Sequence, residues 1–273
     1  MKKGEPLFIA IIFAFILSVS VFVAAKPDFS PLINPAGNSF EIPAHAIQIS
    51  EGVFSLGTAR DADGRLVQGF MFVHEKRENA KPSGAGGGGG STCYAFLAKG
   101  AKWKTVEPWI VNTVNSEGLT QDFVYNNLVA DIQKWEDASS FNILGDGSST
   151  SDVLVADTSS PDNKNEVYFA DVDSSGAIAV TIVWGIFSGP IGGRELVEWD
   201  QIYNDADFGW SSSGEAGKMD FENIATHELG HSVGMGHPSS GCTEETMYAY
   251  ADFGETKKRN LYTGDIAGIG KLY

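Results

Sequence analysis

The chain has 273 residues, of which 42% are hydrophobic and 20% charged, and a formal net charge of −16. That length holds one good-sized domain plus a smaller one, and the apolar content is that of a globular protein. The acidic balance leaves no basic face for phosphate, so nucleic acid is not an expected partner, whereas carboxylates are available for calcium.

Lys2 and Lys3 precede an apolar run from Leu7 to Ala25, interrupted by Ser18 and Ser20, with small residues at Ala24 and Ala25. Residues 1–25 therefore read as a signal peptide or as an N-terminal membrane anchor. Either reading exports the rest of the chain, secreted into the extracellular space or anchored to the outer face of the membrane. Membrane contact is expected only if the segment stays uncleaved. Residues 26–40 are rich in Pro, Asn and Ser and read as an exposed lead-in. Two strand-like runs follow, Ala46–Ala59 and Arg65–Glu75, around a hairpin-type Asp63-Gly64. They make residues 26–81 a small β unit, a propeptide or an accessory hairpin. His45 and His74 belong to it, with a surface or core role expected rather than a metal role. Residues 82–91 contain an unbroken glycine run, Gly86–Gly90, and read as a flexible linker open to processing.

Residues 92–273 read as one domain. Trp103–Val114 is strand-like. Val124, Leu128, Ile132 and Trp135 recur at helical spacing behind Thr120, which predicts a capped amphipathic helix over Thr120–Asp137. Strands are expected near Asp152–Ala156, Glu166–Asp171, Ile178–Ile186 and Glu198–Tyr203. Asp220 can cap a helix carrying His227 and His231. Thr263 is expected to cap a short last helix with Ile266, Ile269 and Tyr273 facing inward. The fold class is α+β: a twisted mixed sheet with a long helix, an active-site helix and a C-terminal helix, preceded by the small β unit.

The chemistry sits in His227-Glu228-Leu229-Gly230-His231-Ser232-Val233-Gly234-Met235-Gly236-His237. Residues four apart share a helix face, so His227 and His231 can address one ion. Gly234 allows the φ > 0 conformation that ends a helix and turns the chain back, so that His237 can close the site. Three neutral nitrogens leave a fourth position open, as in a catalytic Zn2+ site. Glu228 stands beside the metal position, suited to act as general base on a zinc-activated water.

This eleven-residue pattern, with Met247 ten residues beyond His237, resembles the metzincin zinc endopeptidases and within them the matrixins, the matrix metalloproteinase type. The resemblance implies a protease acting on protein or peptide substrates. It places Met247 as a hydrophobic floor under the metal and Asp265 as a brace for the turn that holds Met247. Ala249 stands where other metzincins carry a tyrosine ligand. Pro238 departs from the Ser or Thr usual in matrixins, and Gly264 replaces the first of two carboxylates that open their last helix. By the same resemblance the substrate lies extended along an edge strand, here Ile178–Ser188, and the loop Tyr248–Lys258 shapes the pocket. Structural calcium between strands is implied too, with Asp171 and Asp173 as candidate ligands. No His lies between Cys93 and His227, so a second, structural zinc is not expected. Cys93 and Cys242 form a disulfide in an exported chain, or Cys93 blocks the metal as a thiolate, although the motif of such switches is missing. Two other functions stay open: an extracellular zinc-bearing binding or adhesion module without turnover, and a latent zymogen inhibited by its N-terminal region.

Overall fold

The computed structural model describes Met1 and residues 38–77, 93–116, 118–174 and 176–273. The expected signal or anchor segment and the glycine linker lie outside these residues. Among the described residues no helix is long and apolar enough to cross a membrane.

The strands are β1 (Ser39–Phe40), β2 (Ile47–Ser50), β3 (Val53–Arg60), β4 (Leu66–Lys76), β5 (Ala95–Phe96), β6 (Glu107–Val111), β7 (Leu144–Ser149), β8 (Asn165–Val172), β9 (Ala177–Ile186), β10 (Glu195–Asn204), β11 (Trp210–Ser211), β12 (Met219–Asp220), β13 (Met235–Gly236) and β14 (Tyr250–Ala251). The helices are α1 (Gln121–Ser139), α2 (Phe221–Ser232) and α3 (Thr263–Leu272). The main sheet runs β2-β3-β4-β9-β10-β8-β6-β7, with β1 added to β8 and β14 to β4. β7, β6, β8 and β10 are mutually parallel, and β9 is antiparallel to β10.

Alternation along the strands divides the apolar residues between two cores. Val167 and Phe169 of β8 and Trp199 and Tyr203 of β10 face the helices, where Val124, Leu128 and Trp135 of α1 and Leu229 of α2 pack on them. Tyr168 and Ala170 of β8, with Val180, Ile182 and Trp184 of β9, face the other way. There they meet Val67, Met71 and Val73 of β4. Burying those three side chains contributes on the order of 1.5–3 kcal/mol each. The hairpin of residues 47–76 is thus part of the main sheet. Its turn is closed by Gly64 N–H to Asp61 O, 2.9 Å, with Gly64 at φ +76°.

Several local expectations hold. Thr120 caps α1 by accepting from Phe123 N–H, and Asp220 caps α2 by accepting from Asn223 N–H. Others are corrected. Asp152–Ala156 forms no strand, although Leu154 and Ala156 are buried and Val153 and Val155 exposed. The alternation reports a half-buried segment, but its amides go to side chains: Val155 to Glu166, Ala156 to Tyr168, Asp157 to Asp200. β7 escapes a propensity reading because it holds Gly145 and Gly147. A Cβ at Gly147 would sit 2.2 Å from the Trp109 indole. Thr263 does not cap α3. Tyr262 takes that place, and Asp265 accepts its N–H. Ile266 is exposed, while Ile269 and Leu272 carry the buried face.

Candidate functional site

α2 is buried nearly all round, and its second half carries His227, Glu228 and His231. It stops at Val233, and Gly234 adopts φ +101° while its amide returns to His231 O at 2.9 Å. That reversal lets Met235 and Gly236 pair with Phe96 and Ala95, and it aims His237 back at the helix. His231 Nε2 lies 3.0 Å from His237 Nε2, which lies 3.3 Å from His227 Nε2. Nitrogens bound to one tetrahedral zinc at about 2.0–2.1 Å stand about 3.3–3.4 Å apart, so this spacing fits the ion. The opposite ring nitrogens fix the rings: His227 Nδ1 donates to Thr246 O at 2.6 Å and His231 Nδ1 to Met235 O at 2.9 Å. Each Nε2 lone pair is thereby turned to the shared point. Burial drives His231 down to about 3 and holds His227 and His237 well below the ordinary histidine value. All three are neutral, the form a metal requires.

Met247 is fully buried against α2. A Cβ on Gly230 would meet Met247 Sδ at 2.1 Å and Trp135 at 2.7 Å, so this helical glycine is required by packing. Gly230→Ala is expected to cost about 1–3 kcal/mol by overpacking. A denaturant melt checks it, and an unchanged midpoint would contradict it. Asp265 accepts from Thr246 N–H at 2.7 Å and Met247 N–H at 3.2 Å. Glu245 accepts from Gly264 and Asp265 amides at 2.9 and 3.1 Å. The turn under α2 is therefore tied to the start of α3 by two carboxylates. Gly264 has no room for a side chain, because a Cβ there would lie 2.0 Å from Cys93 O. Cys93 and Cys242 are disulfide-bonded, with Cα atoms 5.5 Å apart.

Glu228 is fully buried, and burial raises its carboxyl to about 8 against the lowering effects of Thr181 and Lys258. Oε2 accepts from Thr181 Oγ1 at 2.6 Å, and Oε1 meets His74 Nδ1 at 2.8 Å. Burial, then Lys258, keeps His74 neutral, so this contact is a hydrogen bond and not an ion pair. With Nδ1 donating to Glu228, Nε2 accepts from Lys258 Nζ at 3.1 Å, and both ring nitrogens are satisfied. Lys258 is itself fully buried, donates also to Tyr248 O, and is lowered to about 7 by desolvation. The His74 ring lies over His227 at 4.0 Å between centroids, and Phe72 stacks on His231 at 4.1 Å.

The residues of the histidine motif, Met247 and Asp265 are thus brought together. Asp171, near the end of β8, and Asp173, on the β8–β9 connection, are exposed and join no group of possible metal ligands among the described residues. Asp157, Glu198 and Asp200 do form such a group. His45 is exposed, with Nε2 3.1 Å from Thr158 O. Sequence reasoning missed Thr181 and the placement of His74 and Lys258. The only signals were that His74 lies on an alternating strand and Lys258 in the loop expected to shape the pocket. The strand expected to offer a free edge, β9, is paired on both sides, with β10 and β4. Beside β4 a groove of about 360 Å³ remains, lined in part by Phe70, Phe72, Phe96, His237 and Tyr248. A larger cavity of about 940 Å³ between α1 and β6–β7 shares no residue with the histidine cluster.

Comparison with known proteins agrees with this geometry. The family model for matrixin peptidases matches residues 109–273, so β1–β5 stand before the matched region. The chain is 38% identical over 96 residues to Metalloendoproteinase 1 of Glycine max, covering 32% of this chain and 30% of that protein. It is 29% identical over 148 residues to Metalloendoproteinase 2-MMP of Arabidopsis thaliana, covering 51% of this chain and 34% of that one. Human Matrilysin is 42% identical over 69 residues, 25% of either chain. The chain thus spans about a third or less of the length of these relatives.

Proposed function

Because the chain belongs to the matrixin family, we propose that it is an exported zinc endopeptidase with Glu228 as its general base. The observation that carries this reading is the convergence of three neutral Nε2 atoms, 3.0 and 3.3 Å apart, beside a buried carboxylate. His227, His231 and His237 would hold the ion, and Met247 would floor it. Zinc, when bound there, supplies Lewis acidity to the scissile carbonyl and lowers the pKa of a water toward about 7. Glu228 takes the proton of the attacking water and passes it to the leaving amine. Thr181 holds the carboxylate in position through Oε2. Substrates are proteins or peptides. The test is metal content and cleavage: one zinc per chain, lost in His231→Ala, with chelator-sensitive cleavage of casein or gelatin. A chain that binds no zinc would overturn the reading.

Residues 1–25 act as export signal or anchor, residues 26–81 as a pro or accessory region, 82–91 as linker and 92–273 as the protease domain. Mass spectrometry of the exported N-terminus distinguishes a cleaved signal from a retained anchor, and processing at the linker from a one-chain enzyme. Among the alternatives, latency has an observation behind it: Phe72 and His74 of β4 cover the histidines and Glu228. An adhesion module without turnover has none.

For calcium, the donors favoured here are Asp157, Glu198 and Asp200 in place of Asp171 and Asp173. Glu198 and Asp200 are buried, and Glu198 Oε1 has no hydrogen-bond partner. Burial first, then repulsion from a neighbouring carboxylate, raises each group: Asp157 to about 6 beside Asp162, Glu198 to about 9 beside Asp157, and Asp200 well above its ordinary value beside Glu198. Folded values above unfolded ones mean that the contribution to stability is full at acid pH and lost as pH rises through the folded values. In chelator, the melting temperature is therefore expected to fall between pH 5 and 9, and millimolar calcium to restore it. Glu198→Gln should flatten both effects. A pH-independent melt that ignores calcium would sink the assignment.

A further inference from the structure

We propose that β4 lies in the cleft as a resident, substrate-like strand, and that Lys258 is the residue that selects the side chain entering beside His227. The proposal rests on the endopeptidase reading only for the word substrate; the occupancy itself is geometric.

An extended peptide is held on a sheet edge by main-chain pairing, with alternate side chains entering pockets. β4 meets both requirements. It runs antiparallel to β9, with Phe72 opposite Thr181 and His74 opposite Ala179. Its last two residues, Glu75 and Lys76, pair in parallel with Tyr250 and Ala251 in the segment that follows Met247. The end of the strand is therefore clasped between the β9 edge and the pocket-forming loop, while residues 66–72 pair with β3 on the side away from β9. Phe72 and His74 point into the site, onto His231 and His227, while Val73 between them turns to the opposite core. Residues 72–74 thus cross the histidine cluster.

His74 fills the pocket beside His227 and closes a chain of contacts from Glu228 Oε1 through its own ring to Lys258 Nζ. With Thr181 on Oε2, both oxygens of Glu228 are engaged. No second strand can pair with β9 while β4 remains. Lys258 is anchored for its part: its amide donates to Asn223 Oδ1 at 2.8 Å and its ammonium to Tyr248 O. When β4 leaves, that ammonium faces the incoming side chain. A side chain with an acceptor atom, an imidazole or a carboxamide, pairs with it. A leucine would leave a buried donor unpaired, the kind of loss that discriminates strongly.

The experiment uses the full zinc-loaded chain carrying Glu228→Gln, so that binding is read without turnover, and fluorescent peptides read by anisotropy. Met71 is fully buried in the core behind β4 and outside the site, so Met71→Asp loosens the hairpin. Peptide binding is expected to be at least tenfold tighter with Met71→Asp than without it. Hydrogen exchange of residues 66–76 should speed up in the same variant. Peptides with Gln or His at the pocket position should bind at least tenfold better than the Leu peptide, and Lys258→Met should reverse that order. Equal binding with and without Met71→Asp, although residues 66–76 exchange faster in the variant, would overturn the occupancy. A Leu preference untouched by Lys258→Met would overturn the selection. Release and binding without cleavage in the Glu228 parent would leave the proposal standing and remove the endopeptidase reading. Should Met71→Asp unfold, metal-free His74→Gly takes its place. 4-Methylimidazole is expected to raise its melting temperature and not that of His74→Gly/Lys258→Met, and equal response of the two would overturn the role of Lys258.

Discussion

Glu228→Gln is expected to lower peptide hydrolysis by about 10²–10⁴-fold, the range for loss of a positioned general base. That is about 2.7–5.4 kcal/mol of transition-state stabilisation at 1.36 kcal/mol per decade. Zinc content should not change, because the carboxylate stands beside the three imidazoles and not among them. Glutamine is preferred to alanine here. Alanine would leave Thr181 Oγ1 and His74 Nδ1 without their partner inside a fully buried site, at a cost of roughly 1–3 kcal/mol for each unsatisfied group. The comparison belongs in the Met71→Asp chain, where the cleft is open to a peptide. Undiminished turnover in Glu228→Gln at full zinc would remove the carboxylate from the mechanism.

The second large effect concerns the disulfide. Cys93 and Cys242 are 149 positions apart, and a cross-link closing so long a loop stabilises by about 2–5 kcal/mol. The double variant Cys93→Ser/Cys242→Ser should therefore melt roughly 4–20 °C lower, at 2–4 °C per kcal/mol for a domain of this size. Position predicts more than lost stability. Cys242 lies between His237 and Met247, and Cys93 O packs against Gly264, beside the carboxylate pair that ties the Met247 turn to α3. Zinc should accordingly dissociate faster from the double variant. Calorimetry with a chelator titration checks both, and a melt shift without any change in zinc release would confine the bridge to a stability role.

How much of this was legible in the sequence follows from the range of the interactions. The spacing of His227, Glu228 and His231 is written in one helical turn, and Gly234 marks the reversal that brings in His237. These are local facts, as are the Thr120 and Asp220 caps. The Cys93–Cys242 pairing was legible because no other cysteine competes. His74 is different. Its partner Glu228 is 154 residues away, and nothing in an alternating strand says which sheet will receive it. The same holds for Lys258, one cation in a loop until the fold closes around its side chain. Asp152–Ala156 misled for a related reason: its alternation is real, but side chains of β8 and β10 take the amides that a neighbouring strand would need.

β9 is buried at nine of its ten positions, and apart from Thr181 and Gly185 its residues are apolar. With β4 in place, both of its edges are paired. Once β4 departs, one edge presents unpaired amides and carbonyls along a long apolar strand, the kind of surface on which chains stack into aggregates. Solubility and opening of the cleft are therefore opposed in this protein. The opened chain is expected to need a peptide, an inhibitor or dilution to stay monomeric.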